Sequence, residues 1–571
     1  MRNCLKAMVL GIVLLVSTVV QAQSLNPIAG SAEALTPVAE VMEGGMMKLP
    51  AITWGGEYAM VYANGNSKTT TPDSIFGKMG LKFEIGLQDD FRKQLADYLS
   101  GRTPYLRGTL DMIKMVSEAT EKDARVTPIV FVLLTRSTGG DAVVVGPDIK
   151  NIRDLSGKRI ALQSYGPHLY YLWTLLQSER MSLKDVKLVW TQDLFNAKDT
   201  PAEAMKKGKA DAAFTIIPDA LALTSNGAVG TGAEGSVKGA KILLTTKTAS
   251  NVIFDVYAVR TDYFETHRYE VQKLAQGIIK AQDELARVFA DKDSNKTAYQ
   301  NAVKAFARVI LSSEAATADA EAMYTDCTAA GLTLNKKFFQ DANFARGFTK
   351  VSDEIHQAFM EYGLLKKKVA LAGVDWNYDT FMAEAGIIAR PEAQTFNSAQ
   401  VAAIVDQRVK QGTLADGQIF PMFSIFFKPN QVSFAGAYYE NEYQRVIGDM
   451  TKLGGAVLVI EGHSDPMEYL RSKKEGKPAV VLSQIRQVAK NLSYQRALSV
   501  QQSIMEYAKS KGIALDPSQF TMVGHGFEQP KTGVCGADPC AAKSEQEWLS
   551  NMRVEFRIIQ VEAEATAFKP L

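Results

Sequence analysis

Near the C-terminus, a carboxylate and a guanidinium stand at the ends of two predicted elements. Asp465 follows the apolar run Ala456–Glu461, which predicts a buried strand, and α/β units place ligand sites at such strand ends. Ser493 is a typical helix N-cap residue, so we expect Arg496 in the first turn of a helix. A cation is unfavourable there relative to the helix dipole. The guanidinium is therefore predicted to have a task such as fixing an anion.

Four ordered motifs surround these two residues within residues 420–561. They are Gly-His-Ser-Asp at 462–465, Leu-Ser-Tyr-Gln-Arg-Ala at 492–497, Gly-His-Gly at 524–526 and Asn-Met-Arg-Val at 551–554. The region resembles the C-terminal domain of the OmpA family, a peptidoglycan-binding module with βαβαβ order that is also found in MotB and Pal. The resemblance implies that Asp465 and Arg496 grip diaminopimelate of the peptide stem. It also implies that Ser493 and Asn551 lie near this pocket.

The implied chemistry suits a zwitterionic amino-acid end. A carboxylate binds the ammonium group, and Arg binds the carboxylate bidentately. Two departures from the family pattern are present. About 26 residues separate Asp465 from Leu492, with a Lys-rich stretch that could form an extra helix, and Met552 replaces an Arg of the family motif. A simple salt bridge between Asp465 and Arg496 is the alternative interpretation.

Residues 50–385 alternate short apolar runs with longer helical patterns, which predicts an α/β fold with mainly parallel sheets. Gly-rich or polar crossings at 137–141 and 248–251 divide this region into two lobes, the second over about 142–250. Residues 386–418 are interpreted as a connector. The predicted strands are 58–62, 82–86, 129–134, 142–145, 159–162, 187–191, 212–216, 241–245 and 252–259.

Seven short motifs along these lobes carry a second resemblance. They include Thr-Trp-Gly-Gly-Glu at 53–57, Ser-Thr-Gly-Gly-Asp at 137–141, Ser-Tyr-Gly-Pro at 164–167 and Pro-Asp at 218–219. Their order resembles periplasmic substrate-binding proteins of ABC importers, in the nitrate, sulfonate and thiamine-precursor group with the two-lobed type II fold. The candidate ligand-binding residues are Trp54, Ser137, Thr138, Asp141, Ser164, Tyr165, Asp219 and Asp255.

The charge of the ligand stays open at this point. The turn from Ser164 to Pro167 opens a predicted helix, and free backbone N–H groups there favour an anion. Asp141, Asp219 and Asp255 fit either helix and turn caps or a cationic ligand. Trp54 either stacks on a ligand or fills the core.

Composition narrows the classes further. The chain has 571 residues and a formal net charge of +2, so a polybasic nucleic-acid binder is not expected. Residues 1–22 read as a signal peptide, with Arg2 and Lys6 before an apolar run, and their removal leaves a neutral chain. In an oxidising compartment the closely spaced Cys535 and Cys540 predict a disulfide, and Cys327 is predicted to be a buried free thiol.

The resulting hypothesis is a receptor of the Gram-negative periplasm, held non-covalently on peptidoglycan, that captures a small and possibly anionic ligand for an importer permease or a sensor. No cofactor and no metal is predicted, because the five His residues show no metal-ligand spacing. Two alternatives remain. One is an envelope protein whose N-terminal region binds a protein partner. The other is an enzyme on the same fold, although no Gly-x-Ser-x-Gly elbow or Walker loop is present.

Overall fold

Two five-stranded sheets and one two-stranded ladder organise the N-terminal region. The computed structural model describes residues 37–42, 44–387, 396–414, 423–532, 534–535 and 538–560; the predicted signal peptide lies outside them. The chain is a mixed α/β structure. Its strands up to residue 373 are β1 (Met47–Ala51), β2 (Phe83–Leu87), β3 (Tyr105–Thr109), β4 (Pro128–Ser137), β5 (Asp141–Val145), β6 (Arg159–Gln163), β7 (Lys187–Thr191), β8 (Ala212–Ile216), β9 (Lys241–Thr245), β10 (Phe254–Arg260), β11 (Cys327–Ala329) and β12 (Ala372–Gly373).

The chain crosses twice between the two large sheets. The first sheet has the order β11-β4-β10-β3, with β12 also on β4, and the second has the order β7-β6-β8-β5-β9. Residues 138–140 lead from β4 into β5, and residues 246–253 lead back from β9 into β10. Each sheet therefore forms the centre of one lobe, and two adjacent chain segments join the lobes.

The expectation of mainly parallel sheets is wrong. β10 runs antiparallel to β3 and β4, and β5 runs antiparallel to β8 and β9, whereas β6 is parallel to β7 and β8. The reason lies in the crossings. A strand that enters a lobe from the other lobe is not preceded by the βαβ crossover that makes neighbouring strands parallel.

Helices cover the faces of both sheets. The predicted strand at 58–62 is instead the helix Tyr58–Ala63, which packs between two longer helices. Tyr58 stacks on Phe306 with ring centroids 4.0 Å apart. Because the segment is apolar on all sides, periodicity does not separate a buried helix from a buried strand. The α-helices in this region are Tyr58–Ala63, Ile75–Lys78, Phe91–Leu99, Leu110–Met115, Ser117–Thr120, Leu169–Ser178, Pro201–Lys206, Ile217–Leu223, Thr261–Ala290, Lys296–Val309, Thr317–Thr325, Gly331–Gln340, Phe348–Tyr362 and Tyr378–Ala385.

A four-stranded sheet centres the C-terminal region, with the order β13-β18-β14-β15. Only the pair β14–β15 is parallel; β13–β18 and β14–β18 are antiparallel. The strands here are β13 (Ser424–Phe426), β14 (Ala456–Gly462), β15 (Phe520–Gly524), the short hairpin β16 (Val534–Cys535) and β17 (Asp538–Pro539), and β18 (Arg553–Gln560). The helices are Ser398–Gln411, Glu440–Lys452, Met467–Lys474, Ala479–Ser510 and Glu545–Asn551.

Helices pack on both faces of this sheet. The helix Ala479–Ser510 buries Ala497, Val500 and Ile504 against one face. The helix Ser398–Gln411, inside the predicted connector, buries Val401 and Ile404 together with Val457, Val459 and Ile559 of the other face. The described part of the connector is thus a packed layer of the C-terminal unit.

One expectation about residues 466–510 changes, whereas the expected extra helix is present. The helix begins at Ala479, so Ser493 is an interior residue and Arg496 lies in the middle of the helix. The reason is that no Gly or Pro interrupts the chain from Ala479 to Ser510, so the helix extends past the residue that resembled an N-cap. The Lys-rich stretch forms part of the additional helix Met467–Lys474. Among the described helices, none is long and apolar enough to cross a bilayer.

The C-terminal unit docks on one of the two crossings between the lobes. The N–H of Gly455 donates to the carbonyl of Thr248 at 3.1 Å, and the N–H of Asn251 donates to the carbonyl of Lys452 at 3.2 Å. The amide Nδ2 of Asn251 donates to the carbonyl of Thr451 at 2.9 Å. Any Cβ at position 455 would lie 1.6 Å from the carbonyl oxygen of Lys247, so only glycine allows this approach.

We therefore predict that Gly455→Ala weakens the docking. The added methyl group overlaps the backbone at Lys247, and overpacking of this kind costs about 1–3 kcal/mol. Urea unfolding of the full chain, followed by circular dichroism, measures the loss. Gly448→Ala is the matched control, because its Cβ meets no atom within 4 Å in the helix Glu440–Lys452, where Ala is favoured. Equal midpoints for the two variants would contradict the prediction.

Candidate functional site

A cavity of about 420 Å³ lies between the two lobes. From the first lobe it is lined by the segment Ile52–Trp54, by Asp89 and Asp90 after β2, and by residues of β10. From the second lobe it is lined by Gln163 at the end of β6 and by the segment Gln192–Asn196 after β7. The cavity is therefore built from strand ends and loops of both lobes, as ligand clefts of two-lobed proteins are.

Asp255 forms the floor of the cavity and belongs to a buried ion network. Arg107 donates from Nε to Glu57 Oε1 at 2.6 Å and from Nη1 to Asp255 Oδ1 at 3.0 Å. The hydroxyl of Thr135 donates to the other oxygen of Asp255 at 2.7 Å. All three charged side chains are buried, so a single guanidinium holds two carboxylates.

Burial of two carboxyl groups beside a single guanidinium shifts both carboxyl groups toward their neutral forms. Burial raises the pKa of Glu57 to about 7, against a partial offset by Arg107. Burial also raises the pKa of Asp255. One guanidinium neutralises only one of the two carboxylates. Repulsion from Asp255 therefore adds to the increase in the pKa of Glu57.

Asp141 stands on the opposite wall, at the first crossing. Its Oδ2 accepts a hydrogen bond from Ser137 at 2.5 Å, and its Oδ1 lies 2.8 Å from His168 Nε2. Ser137 and His168 are fully buried. Asp141 is therefore held rigidly at the point where β4 passes into β5.

Trp54 lines the cavity and also packs against Gly140 at the first crossing. Its ring lies on the backbone of Gly140, where an added Cβ would come within 2.2 Å of the ring carbon Cη2. Its Nε1 donates a long hydrogen bond of 3.4 Å to Thr135. The ring therefore bridges the lobes at the first crossing and also lines the cavity.

Three of the eight candidate ligand residues line this cavity: Trp54, Asp141 and Asp255. The remaining five lie outside its lining. Ser137 forms a hydrogen bond with Asp141, and Thr138 forms one with Thr328. Ser164 donates to the carbonyl of Thr191, and Asp219 accepts a 3.4 Å hydrogen bond from Thr215. Tyr165 is buried and has a φ of 70°. The last four support the chain around the cavity.

The prediction missed Asp89, Asp193 and Phe195, which also line the cavity. A usable signal was present in the sequence. Asp89 follows β2, which pairs in parallel with β1. Asp193 follows β7, which pairs in parallel with β6. Ligands of open α/β sheets bind outside such carboxyl ends.

In the C-terminal unit, Asp465 lies just after β14 and is half-buried, and one of its oxygens accepts from the N–H of Met467 at 3.0 Å. Arg496 is fully buried and donates to the carbonyls of Gln431, His463 and Lys428 at 2.9, 2.9 and 3.2 Å. Burial lowers the pKa of Arg496 to about 10, and the nearby Asp465 acts in the opposite direction.

The alternative of a simple salt bridge is wrong for the described structure, because Asp465 and Arg496 make no contact within ion-pair distance there. The guanidinium instead ties the loop 428–431 to the strand end that carries Asp465.

Ser493 and Asn551 hold the opposite side of this strand end. The hydroxyl of Ser493 donates to the carbonyl of Lys490 and accepts from the N–H of Gly526 at 2.9 Å. Oδ1 of Asn551 accepts from the N–H groups of Lys531 and Thr532. Both side chains are therefore engaged in fixing the segment after β15.

The two cysteine predictions differ in outcome. Cys540 is disulfide-bonded, but the side chain of Cys535 lies outside the described residues, so their pairing stays a prediction. Cys327 is a free thiol, but its exposure is intermediate, so the expectation that it is buried is wrong. Desolvation of its sulfur raises the pKa of the thiol, which makes it a poor nucleophile.

The fold brings His525 next to Glu461 and His463, and these three side chains are potential metal ligands. Glu461, however, already pairs with Arg557 and lies 2.8 Å from His525 Nε2. Burial and the neighbouring Arg553 lower the pKa of His463. With two guanidinium groups this close, the cluster is better explained as a buried ion network than as a cation site.

Comparison with known proteins gives a family match in the N-terminal region. Residues 76–287 match the family model described as "NMT1/THI5 like". The match spans parts of both lobes and therefore both walls of the cavity. No curated protein is matched by the chain.

Several solved structures align with low identity. The alkanesulfonate-binding protein SsuA from Xanthomonas axonopodis pv. citri bound to MOPS is 15% identical over 58% of this chain and 98% of that chain, with a TM-score of 0.39. The periplasmic aliphatic sulphonate binding protein SsuA from Escherichia coli is 15% identical over 57% and 96%, with a TM-score of 0.41. The peptidoglycan-associated lipoprotein from Burkholderia pseudomallei is 17% identical over 24% and 88%, with a TM-score of 0.17.

The ion network below the cavity predicts a pH dependence of stability. The pKa of Glu57 rises from 4.5 to about 7 on folding, so the folded chain binds this proton more tightly than the unfolded chain. The contribution of Glu57 to the free energy of unfolding therefore falls as the pH increases between these values, by about 3 kcal/mol in total. Unfolding at about pH 5 and about pH 8 should show this decrease for the wild type and a smaller one for Glu57→Gln. Glu265→Gln, at an exposed position, should match the wild type, and an unchanged slope for Glu57→Gln would refute the assignment.

Proposed function

We propose that this protein is a periplasmic solute-binding receptor anchored non-covalently to peptidoglycan. The observation that carries the receptor function is the interlobe cavity, whose walls come from two lobes joined by two short crossings. Such an arrangement allows the lobes to close on a ligand by hinge motion. The NMT1/THI5-like match over residues 76–287 supports the same function.

The cavity suits binding better than catalysis. Asp255 is tied to Arg107 and Thr135, and Asp141 is tied to Ser137, so neither carboxylate is poised as a free base. The described thiol Cys327 has a raised pKa and lies outside the cavity lining. The receptor therefore delivers its ligand unchanged to a membrane partner, for which an importer permease is the leading candidate.

Anchoring rests on the C-terminal unit. Its motif resemblance to the OmpA family is supported by the position of Asp465 at the end of β14, where it is accessible to a stem-peptide ammonium group. The disulfide predicted between Cys535 and Cys540 fits an oxidising periplasm. Anchoring would hold the receptor near its membrane partner and raise its effective concentration there.

A cell-wall sedimentation assay tests the anchoring. Full-length protein should pellet with insoluble diaminopimelate-containing peptidoglycan, and Asp465→Asn should weaken binding about tenfold by removing one charge-assisted hydrogen bond. Asn keeps the acceptor for the N–H of Met467, so the fold is preserved. Glu468→Gln, at an exposed carboxylate three residues away, is the matched control. Equal pelleting of both variants and the wild type would exclude a role for Asp465.

A thermal-shift screen of the full chain tests the receptor function. One chemical class among small anions, sulfonates, amines and pyrimidines should raise the melting temperature, because a ligand that binds only the folded state stabilises it. Trp54→Ala should remove the shift, since the ring lines the cavity. No shift across the panel would favour the alternative of an envelope protein that binds a protein partner, and turnover of a compound would indicate an enzyme.

A further inference from the structure

We propose that the interlobe cavity takes a small organic cation, an alkylammonium with an apolar body. This inference rests on the proposed receptor function and names the class of its ligand. The cavity lining contains five carboxylates, which are Asp89, Asp90, Asp141, Asp193 and Asp255, and no Lys, Arg or His among the described lining residues. Carboxylates alone would not define a site; here they line an enclosed space between two lobes.

Neighbouring basic groups offset only part of this charge. Arg107 serves Asp255, but it is shared with Glu57. Arg92 forms an ion pair with Asp90, with Nε at 3.0 Å from Oδ1. Its electrostatic interaction with Asp193 acts over a longer distance.

Asp141 has His168 as its neighbour, with Nε2 at 2.8 Å from Oδ1. The other two lining carboxylates are Asp89 on the first lobe and Asp193 on the second lobe. Among the described residues, Asp89 and Asp193 have no basic nitrogen within ion-pair distance. The field in the cavity is therefore negative, and it would repel an anionic ligand.

A second, independent observation concerns the hydrogen-bond donors in the lining. An anion such as a sulfonate needs several free N–H or O–H groups. Thr53 donates both its N–H and its hydroxyl to Asp89, at 2.7 and 2.9 Å. The hydroxyl of Thr109 bonds Asp111, the amide of Gln163 bonds the carbonyl of Gln192, and Trp54 Nε1 bonds Thr135. The neutral donors of Thr53, Thr109, Gln163 and Trp54 are therefore committed. The side-chain amides of Gln192 and Asn196 also belong to the lining, against five carboxylates whose oxygens offer acceptors only.

The rest of the lining suits the body of an organic cation. Trp54 on one lobe and Phe195 on the other provide aromatic faces, which attract a cation placed over the ring. Apolar side chains complete the lining, among them Ile52, Met112, Leu194, Ile216, Ile253 and Leu311. An ammonium group would also favour closure, because it neutralises the carboxylates that line the cavity from both lobes.

Isosteric probes test the charge preference in the full-length protein. Choline and 3,3-dimethylbutanol have the same shape, but only choline is charged, and propanesulfonate supplies the opposite charge. Thermal shift and calorimetry should detect choline or 1,4-diaminobutane, with at least about tenfold weaker binding for the neutral isostere. Added salt should weaken the binding of the cation.

Two variants tie the effect to the cavity. Asp193→Asn should lower the affinity for the cation about tenfold, whereas Asp148→Asn, at an exposed position of the same lobe outside the lining, should leave it unchanged. Binding of propanesulfonate, lost in Trp54→Ala and strengthened in Asp193→Asn, would overturn the cation assignment while keeping the receptor. If no probe of any charge binds, both the cation assignment and the receptor function are overturned.

Discussion

The buried guanidinium of Arg107 is the interaction on which the N-terminal architecture depends. It reaches from the middle of β3 to Glu57 in the first loop and to Asp255 on β10, the strand that returns the chain from the second lobe. Removing one partner of such a buried group would leave an unpaired charge, at a cost of about 3–5 kcal/mol. The network thus fixes the cavity floor, one hinge strand and the Trp54 loop relative to one another.

A second buried guanidinium plays a comparable part in the C-terminal unit. Arg496 is satisfied by three backbone carbonyls, and through them it joins the loop 428–431 to the strand end before Asp465. The two units are also coupled to each other. Gly455 and Asn251 place the C-terminal unit on the second crossing between the lobes.

Much of the element order could be predicted from the sequence, and the failures have physical causes. Period-2 alternation and short apolar runs locate β4 to β10 within a few residues. The segment Tyr58–Ala63 was mistaken for a strand because it is apolar on every side, and Ser493 was mistaken for an N-cap because capping residues are tolerated inside a long uninterrupted helix. The predicted parallel arrangement of the strands was wrong for most pairs next to the crossings. The relative direction of two strands there depends on the lobe from which the chain arrives, which is a non-local property.

The sequence by itself predicted a two-part α/β region with two Gly-rich or polar crossings, followed by a C-terminal unit carrying Asp465 and Arg496. These features are local, since they follow from composition, periodicity and motif spacing. Only the tertiary structure decided which side chains share a cavity, that Asp89 and Asp193 belong to it, and that the donors of Thr53 and Gln163 there are already used. Charge and hydrogen-bond commitment depend on residues far apart in the chain, and only the fold brings them into contact.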